Sequence, residues 1–341
     1  IEARLPPGTA AEIARLLRYP ESTAGRVMTT RFLALRESQT AEEGIDAIRA
    51  RSEEEIEQVF YIYVVDDRER LRGVVPIRKL VAAQPKTRIG DVMIESVVAV
   101  EATADQEEVA AMVAKYNLLA VPVVEASRKL VGVITVDDVI DVIHEEATED
   151  IFRMVGLTQE EHVFTPLATS IRRRLPWMVA NLATAFAAAW VVGLFEEAIT
   201  KVVALAVFLP VVAGMGGNGG TQTLTIITRG IALGELTIES GTRAILREVA
   251  IGIAIGTAVG TLTAAAAWLW RGNPVLGLVL LLAMVINMGI AGLAGAAVPL
   301  ALRAMRQDPA LGSGVLVTTF TDVFGFLAFL GIASGLLEYL D

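Results

Sequence analysis

LPVVAGMGGNGGTQT, residues 209–223, lies inside an apolar run that begins near Val202. Pro210, Gly214, Gly216, Gly217, Gly219 and Gly220 crowd this short span, and both residue types are poor helix formers. The stretch therefore predicts a membrane-embedded helix that breaks over 210–220. Backbone groups freed by such a break cannot face lipid; they are buried in protein or line a wet cavity. Two readings follow. One is a kinked span whose freed groups bond to neighbouring helices. The other is a water-filled path lined by carbonyls, with the Asn218 side-chain amide beside them.

Outward from that stretch, the 341-residue chain falls into two halves. Hydrophobic residues make up 54% of it and its mean hydropathy is +0.55, too apolar for an ordinary soluble protein. Residues 1–171 hold 30 Asp and Glu against 19 Lys and Arg, whereas residues 172–341 hold 9 against 10. An acidic soluble half thus precedes a membrane half. A span needs about 20 apolar residues, and five candidates occur, near 176–195, 199–228, 249–270, 275–302 and 312–338. Arg172, Arg173, Arg174, Arg229, Arg243, Arg247, Arg303 and Arg306 flank one side; Lys201 and Arg271 flank the other. That asymmetry predicts a cytoplasmic N-terminal half and a C-terminus outside; the expected location is the plasma (inner) membrane. Gly252, Gly256 and Gly260, four residues apart, give span three a smooth face for close helix packing.

TTFTDVFGFLAF, residues 318–329, places Asp322 inside span five with apolar residues on both sides. An ionised carboxylate there costs roughly 2.5–3.5 kcal/mol on insertion scales, and such residues mark function by default. A structural alternative is an Asp capped by Thr318, Thr319 and Thr321. No Lys or Arg lies at that depth in any span, so a cation from solution is its natural partner. Magnesium suits the position, because it keeps its water and favours carboxylates and carbonyls around it. One carboxylate makes no cage, but in a symmetric dimer two copies of Asp322 face a hydrated ion on the axis.

The soluble half contains a repeat. AGRVMTTRFLAL (24–35) matches IGDVMIESVVAV (89–100), and YIYVVDDRERLRGVVPIRKLV (61–81) matches AVPVVEASRKLVGVITVDDVI (120–140). Each copy predicts an extended segment, a helix, a strand, a charged turn, a strand and a helix. The pattern resembles a tandem of cystathionine-β-synthase-type (CBS) domains, a regulatory module that often binds adenine nucleotides. That resemblance implies Thr135 and Asp138 of GVITVDD as ribose and phosphate contacts, with ATP as a candidate ligand; the same pair also reads as a helix cap. Copy one departs from the pattern, with Pro76 and Lys79 at the matching places.

TVDDVIDVIHEEATEDIFRM (135–154) reads as a helix with Asp138, Asp141, Glu145 and Glu149 along one stripe. Like charges at this spacing destabilise a helix, only Arg153 follows, and basic partners are absent from the stripe. Hard oxygen ligands in a row suit Mg²⁺ or Ca²⁺. Asp105, Glu107 and Glu108 either form a helix N-terminal charge pattern or complete a divalent site with that stripe.

The order of these parts resembles the MgtE family of magnesium channels over essentially the whole chain: tandem CBS domains, an acidic connecting helix, five spans, GMGGNGGTQ in span two, and DPALGSGVLVTTFTDVFG leading into span five. The resemblance implies a homodimer with its pore between spans two and five. It implies Asp322 as the filter carboxylate, Gly214 and Asn218 at the pore lining, and Asp308 at the cytoplasmic mouth. Glu145, Glu146, Glu149 and Asp150 match the family's plug segment, which binds intracellular Mg²⁺ and shuts the pore. Family members commonly carry a helical N-terminal domain, of which residues 1–24 read as a remnant.

The expected class is a multidomain membrane protein: an α+β tandem CBS pair (25–84 and 85–141), an acidic connecting helix and linker (142–171), and an all-α five-helix transmembrane domain (172–341). Without cysteine there are no disulfides or thiolate metal sites, and His144 and His162 are too few for a histidine metal centre. So acidic a membrane protein is no nucleic-acid binder, and no catalytic constellation points to an enzyme. Two other readings compete: a secondary-active transporter of Mn²⁺, Co²⁺ or Mg²⁺, since broken mid-membrane helices also occur there, and a membrane-anchored, nucleotide-sensing scaffold.

Overall fold

The structure, a computed structural model, describes residues 13–51, 60–158, 161–236 and 238–340. The segment expected as a remnant, 1–24, lies half outside them. The chain divides into two compact units, residues 1–147 and 148–341.

The first unit holds the repeat. A short helix α1 (Ala24–Val27) leads into β1 (Ala34–Arg36), α2 (Ala41–Arg49), β2 (Tyr61–Val65), β3 (Leu71–Pro76) and α3 (Ile77–Ala82). A second short helix, α4 (Ile89–Val92), leads into β4 (Val100–Glu101), α5 (Gln106–Tyr116), β5 (Ala120–Val124), β6 (Leu130–Thr135) and α6 (Val136–Met154). Each copy makes a three-stranded sheet whose first pair is parallel and second antiparallel. The duplication extends to fine detail, because the register shifts at Val64/Val65 in one copy and at Val123/Val124 in the other. The copies also interlock. Met28, at the start of copy one, packs against Gly132 of copy two, while Met93 of copy two packs against Gly73 of copy one. Local chemistry agrees with the pattern: Thr40 and Glu43 form a reciprocal capping box at the head of α2.

The second unit is helical: α7 (Leu167–Gly193), α8 (Glu196–Lys201), α9 (Ala204–Ala232), α10 (Ile238–Arg271), α11 (Pro274–Ala304) and α12 (Ser313–Gly335). All but α8 are long and apolar enough to cross a membrane, giving the five expected spans. The central helix is α11, with Val279, Leu280, Ala283, Met284 and Ala291 fully buried. The glycine row of α10 lies against it, Gly256 and Gly260 facing the carbonyls of Met284 and Leu281. Helices α9 and α12 pack on α11 and on each other, and α7 rests on α12.

The expected break over 210–220 is absent. Helix α9 runs unbroken through Pro210 and all five glycines. The glycines serve approach instead of rupture: Gly216 leaves room for Asn287, Gly219 for Met288 and Gly220 for Val317. Glycine's low helix propensity is measured in water, which solvates an unwound backbone. In hydrocarbon that alternative is lost, so the helical hydrogen bonds persist.

Candidate ion site in the membrane helices

Helix geometry puts residues three and four apart on one face. Along α9, Gly214, Asn218, Thr221 and Thr225 follow that spacing and are all exposed in the single chain. On α12, Thr318 comes near this part of α9 and Asp322 lies one turn further on, both partly buried. A Cβ placed on Gly217 would lie 3.9 Å from the Thr318 methyl carbon. Two further contacts fix the levels: Gly216 and Gly325 both abut Asn287, and Gly220 abuts Val317 and Thr321. Gly216 to Gly220 is four residues, as is Thr321 to Gly325, and the two helices run in opposite senses. Asp322 therefore lies on α12 between these contacts, opposite the stretch of α9 that holds Gly214 and Asn218.

The threonine cap considered for Asp322 does not form. Thr318 donates to the carbonyls of Gly314 and Val315 at 3.0 Å, Thr319 to Val315 at 2.6 Å, and Thr321 to Thr318 at 3.0 Å. Among the described residues Asp322 makes no hydrogen bond or ion pair, which leaves its carboxylate open to a ligand. The two helices that meet here carry an amide, hydroxyls and a glycine surface as well as the carboxylate, groups chemically suited to a hydrated cation.

At the opposite end of α12 from its C-terminus, the last turn of α6 is seated on the bundle. Arg153 pairs with both Glu149 and Asp308, which corrects the expectation that the acidic stripe lacks basic partners. Its carbonyl accepts from the Gly312 N–H at 3.0 Å, and Met154 packs with Leu224, Ala294 and Val317. Gly312 adopts φ +60° with the Trp177 ring where a Cβ would project, so the turn into α12 tolerates no side chain. Asp308 also accepts from the Ala310 N–H at 2.7 Å, shaping the turn ahead of α12.

The remaining acidic candidates are dispersed. Asp105 caps α5, accepting from the Glu107 N–H at 2.8 Å, as a helix N-terminal pattern would. Asp138 accepts from the Thr135 hydroxyl at 2.8 Å, the capping role anticipated beside nucleotide contact. Glu146 accepts from Gln106 at 2.6 Å. Asp141 and Glu145 are exposed, and Asp150 is partly buried. Among the described residues no three Asp, Glu or His side chains converge into a metal-holding group. A crevice of about 620 Å³ opens between the repeat copies beside Arg15, Arg36, Asp66, Glu69 and Lys129; Thr135 and Asp138 are not on its wall.

Three polar residues escaped the sequence reading. Glu248 is 7% exposed on α10, 3.3 Å from the Thr223 hydroxyl of α9. It continues the four-residue row of Gly252, Gly256 and Gly260 backwards, a signal hidden because span three was expected to begin at 249. Asn287 is fully buried on α11 and donates to the Val212 carbonyl at 2.8 Å. Glu161, ahead of α7, pairs with Ser170 and with Arg174 at 2.7 Å.

A family model described as a divalent cation transporter, MgtE, matches residues 209–332, and the CBS domain model matches residues 24–86 and 89–145. A protein named magnesium transporter MgtE from Thermus thermophilus is 39% identical over 337 residues, covering 98% of this chain and 74% of that one. The chain belongs to the MgtE family. A relative of the same name from Bacillus subtilis is 36% identical over 326 residues, 95% of this chain and 72% of its own. Among solved structures, the cytosolic domain of the Mg²⁺ channel MgtE in complex with ATP aligns at 45% identity and a TM-score of 0.40. That alignment spans 41% of this chain and 56% of the solved one. The window matched by the family model contains Gly214, Asn218, Asp308 and Asp322.

Proposed function

We propose that the chain is a magnesium-selective, homodimeric ion channel, gated by intracellular Mg²⁺. The observation that carries this reading is Asp322, a carboxylate inside a membrane span with no partner among the described residues, on the helix that packs against α9 with its exposed polar stripe. A second copy placed on that open face supplies a second Asp322, and two carboxylates across an axis suit a hydrated Mg²⁺. Gly214 and Asn218 line the path, and Asp308 stands at its cytoplasmic mouth.

Gating follows from the acidic half. Mg²⁺ bound by Asp105, Glu107, Asp138, Asp141, Glu145, Glu146, Glu149 and Asp150 offsets their mutual repulsion and favours the closed state, while its removal favours opening. ATP is a candidate modulator at Thr135 and Asp138. The flanking arginines support an acidic half in the cytoplasm and a C-terminus outside. Continuity of α9 favours a channel over a coupled transporter, because the discontinuous helix that suggested the transporter is not there.

The test is Mg²⁺ uptake into liposomes holding the purified protein, with Mg²⁺ varied on the side of the acidic half. Uptake without any imposed proton or sodium gradient, suppressed as Mg²⁺ on that side rises, is the expected result. Uptake that requires such a gradient, or that is absent at every Mg²⁺ concentration, overturns the channel reading.

A further inference from the structure

We propose that Asn287 is a positioning residue for the ion path: its buried carboxamide sets the register of α9 against α12, and so fixes where Asn218 stands relative to Asp322. The inference rests on the ion-path reading of those two residues.

Asn287 lies on the central helix α11 with no exposed surface. Its amide nitrogen donates to the Val212 carbonyl of α9 at 2.8 Å. Its amide also fills the space where two side chains are missing. A Cβ on Gly325 of α12 would stand 2.6 Å from the Asn287 Oδ1, and one on Gly216 of α9 would stand 2.9 Å from the same atom. One side chain thus touches both pore-facing helices, at the upper of the two contacts that bracket Asp322. The lower contact, Gly220 against Val317 and Thr321, is apolar and slides more easily than a directed hydrogen bond.

Among the described residues the Asn287 Oδ1 has no donor. A buried acceptor without a partner costs about 1–3 kcal/mol, whereas leucine has similar volume and carries no such cost. Packing alone therefore favours an apolar residue here. What leucine cannot do is donate to a backbone carbonyl of α9, and interhelical hydrogen bonds of this kind fix which faces meet inside a membrane.

The experiment combines flux with a register readout. The chain has no cysteine, so Gly217→Cys with Thr318→Cys gives a pair whose oxidative cross-linking reports the α9–α12 register directly. In liposomes, Asn287→Leu is expected to lower Mg²⁺ flux about three- to tenfold, the range set by losing one interhelical hydrogen bond. Cross-linking of the cysteine pair is expected to slow by a similar factor in the same background. Unchanged cross-linking in Asn287→Leu overturns the proposal, whatever the flux. Gly216→Ala guards against simple misfolding of the leucine variant: its methyl group meets the amide, so it is expected to lower flux with Asn287 present and much less in an Asn287→Ala background. Equal losses in both backgrounds also overturn the proposal. Wild type and Asp322→Ala run alongside. If those two conduct alike, the ion-path reading fails by itself, and the cross-linking arm still decides the role of Asn287 in the register.

Discussion

Glu161 ties the segment ahead of α7 to the helix itself, and hydrogen bonds from Ser170 and then Arg174 hold its carboxyl below the usual carboxylate range. A carboxylate with a lowered folded-state pKa contributes stability above its unfolded pKa and loses that contribution as pH falls through the folded value. Glu161→Gln is therefore expected to lower the unfolding temperature at neutral pH, with the gap from wild type closing as pH drops below the ordinary carboxylate range. Melting curves across that range check it, and a pH-independent gap contradicts it. Asp322 and Glu161 differ in how plainly the sequence announces them. An acid inside an apolar run is visible in one dimension, because charge in hydrocarbon always needs an explanation. Glu161 sits among polar residues, and its partners lie 9 and 13 positions away on a helix face that only folding brings round. Asn287 was equally silent, since an uncharged amide in a long apolar helix acquires meaning only from the helices around it.

At the scale of elements, the glycine row of α10 and the glycines of α9 look alike in sequence and act alike in the fold. The row was read correctly as a packing face, whereas the α9 glycines were expected to break their helix. The error came from applying an aqueous propensity to a segment without water. A Cβ on Gly256 would stand 2.9 Å from the Met284 carbonyl and from the Val285 Cα, both backbone and unable to swing aside. Gly256→Ala is expected to destabilise the bundle by about 1–3 kcal/mol, seen as a lower melting temperature in detergent; an unchanged melt contradicts the packing. Helix α6 makes a different prediction. With Arg153 removed, Glu149 and Asp308 are left facing without the cation between them. In Arg153→Ala the segment between α6 and α7 is expected to be cut faster by protease in a chelator, and Mg²⁺ is expected to restore protection. Equal cleavage of variant and wild type in both conditions contradicts that role for Arg153.

For the whole molecule, the duplication and the five spans were legible because each repeats a pattern: matched strand–turn–strand segments in one half and apolar runs of membrane length in the other. The interlock of Met28 with Gly132 and Met93 with Gly73 was not, since the sequence pairs each methionine with the glycine of its own copy and the fold exchanges them. The polar stripe of α9 is open in the single chain, which a dimer would cover. Asn218→Cys, in a chain with no other cysteine, is expected to cross-link two copies on mild oxidation, giving a species of twice 36.4 kDa. A chain that stays monomeric in detergent and in liposomes removes the axis on which the ion site depends.

The central claim is that Mg²⁺ passes at Asp322. The most direct test is electrical recording from reconstituted wild type and Asp322→Asn, a change that keeps the side chain's shape and removes its charge, with Mg²⁺ as the only permeant cation. Unitary Mg²⁺ currents are expected in wild type, and their loss, or loss of discrimination against other cations, in the variant. Currents of the same size and selectivity in both proteins would contradict it.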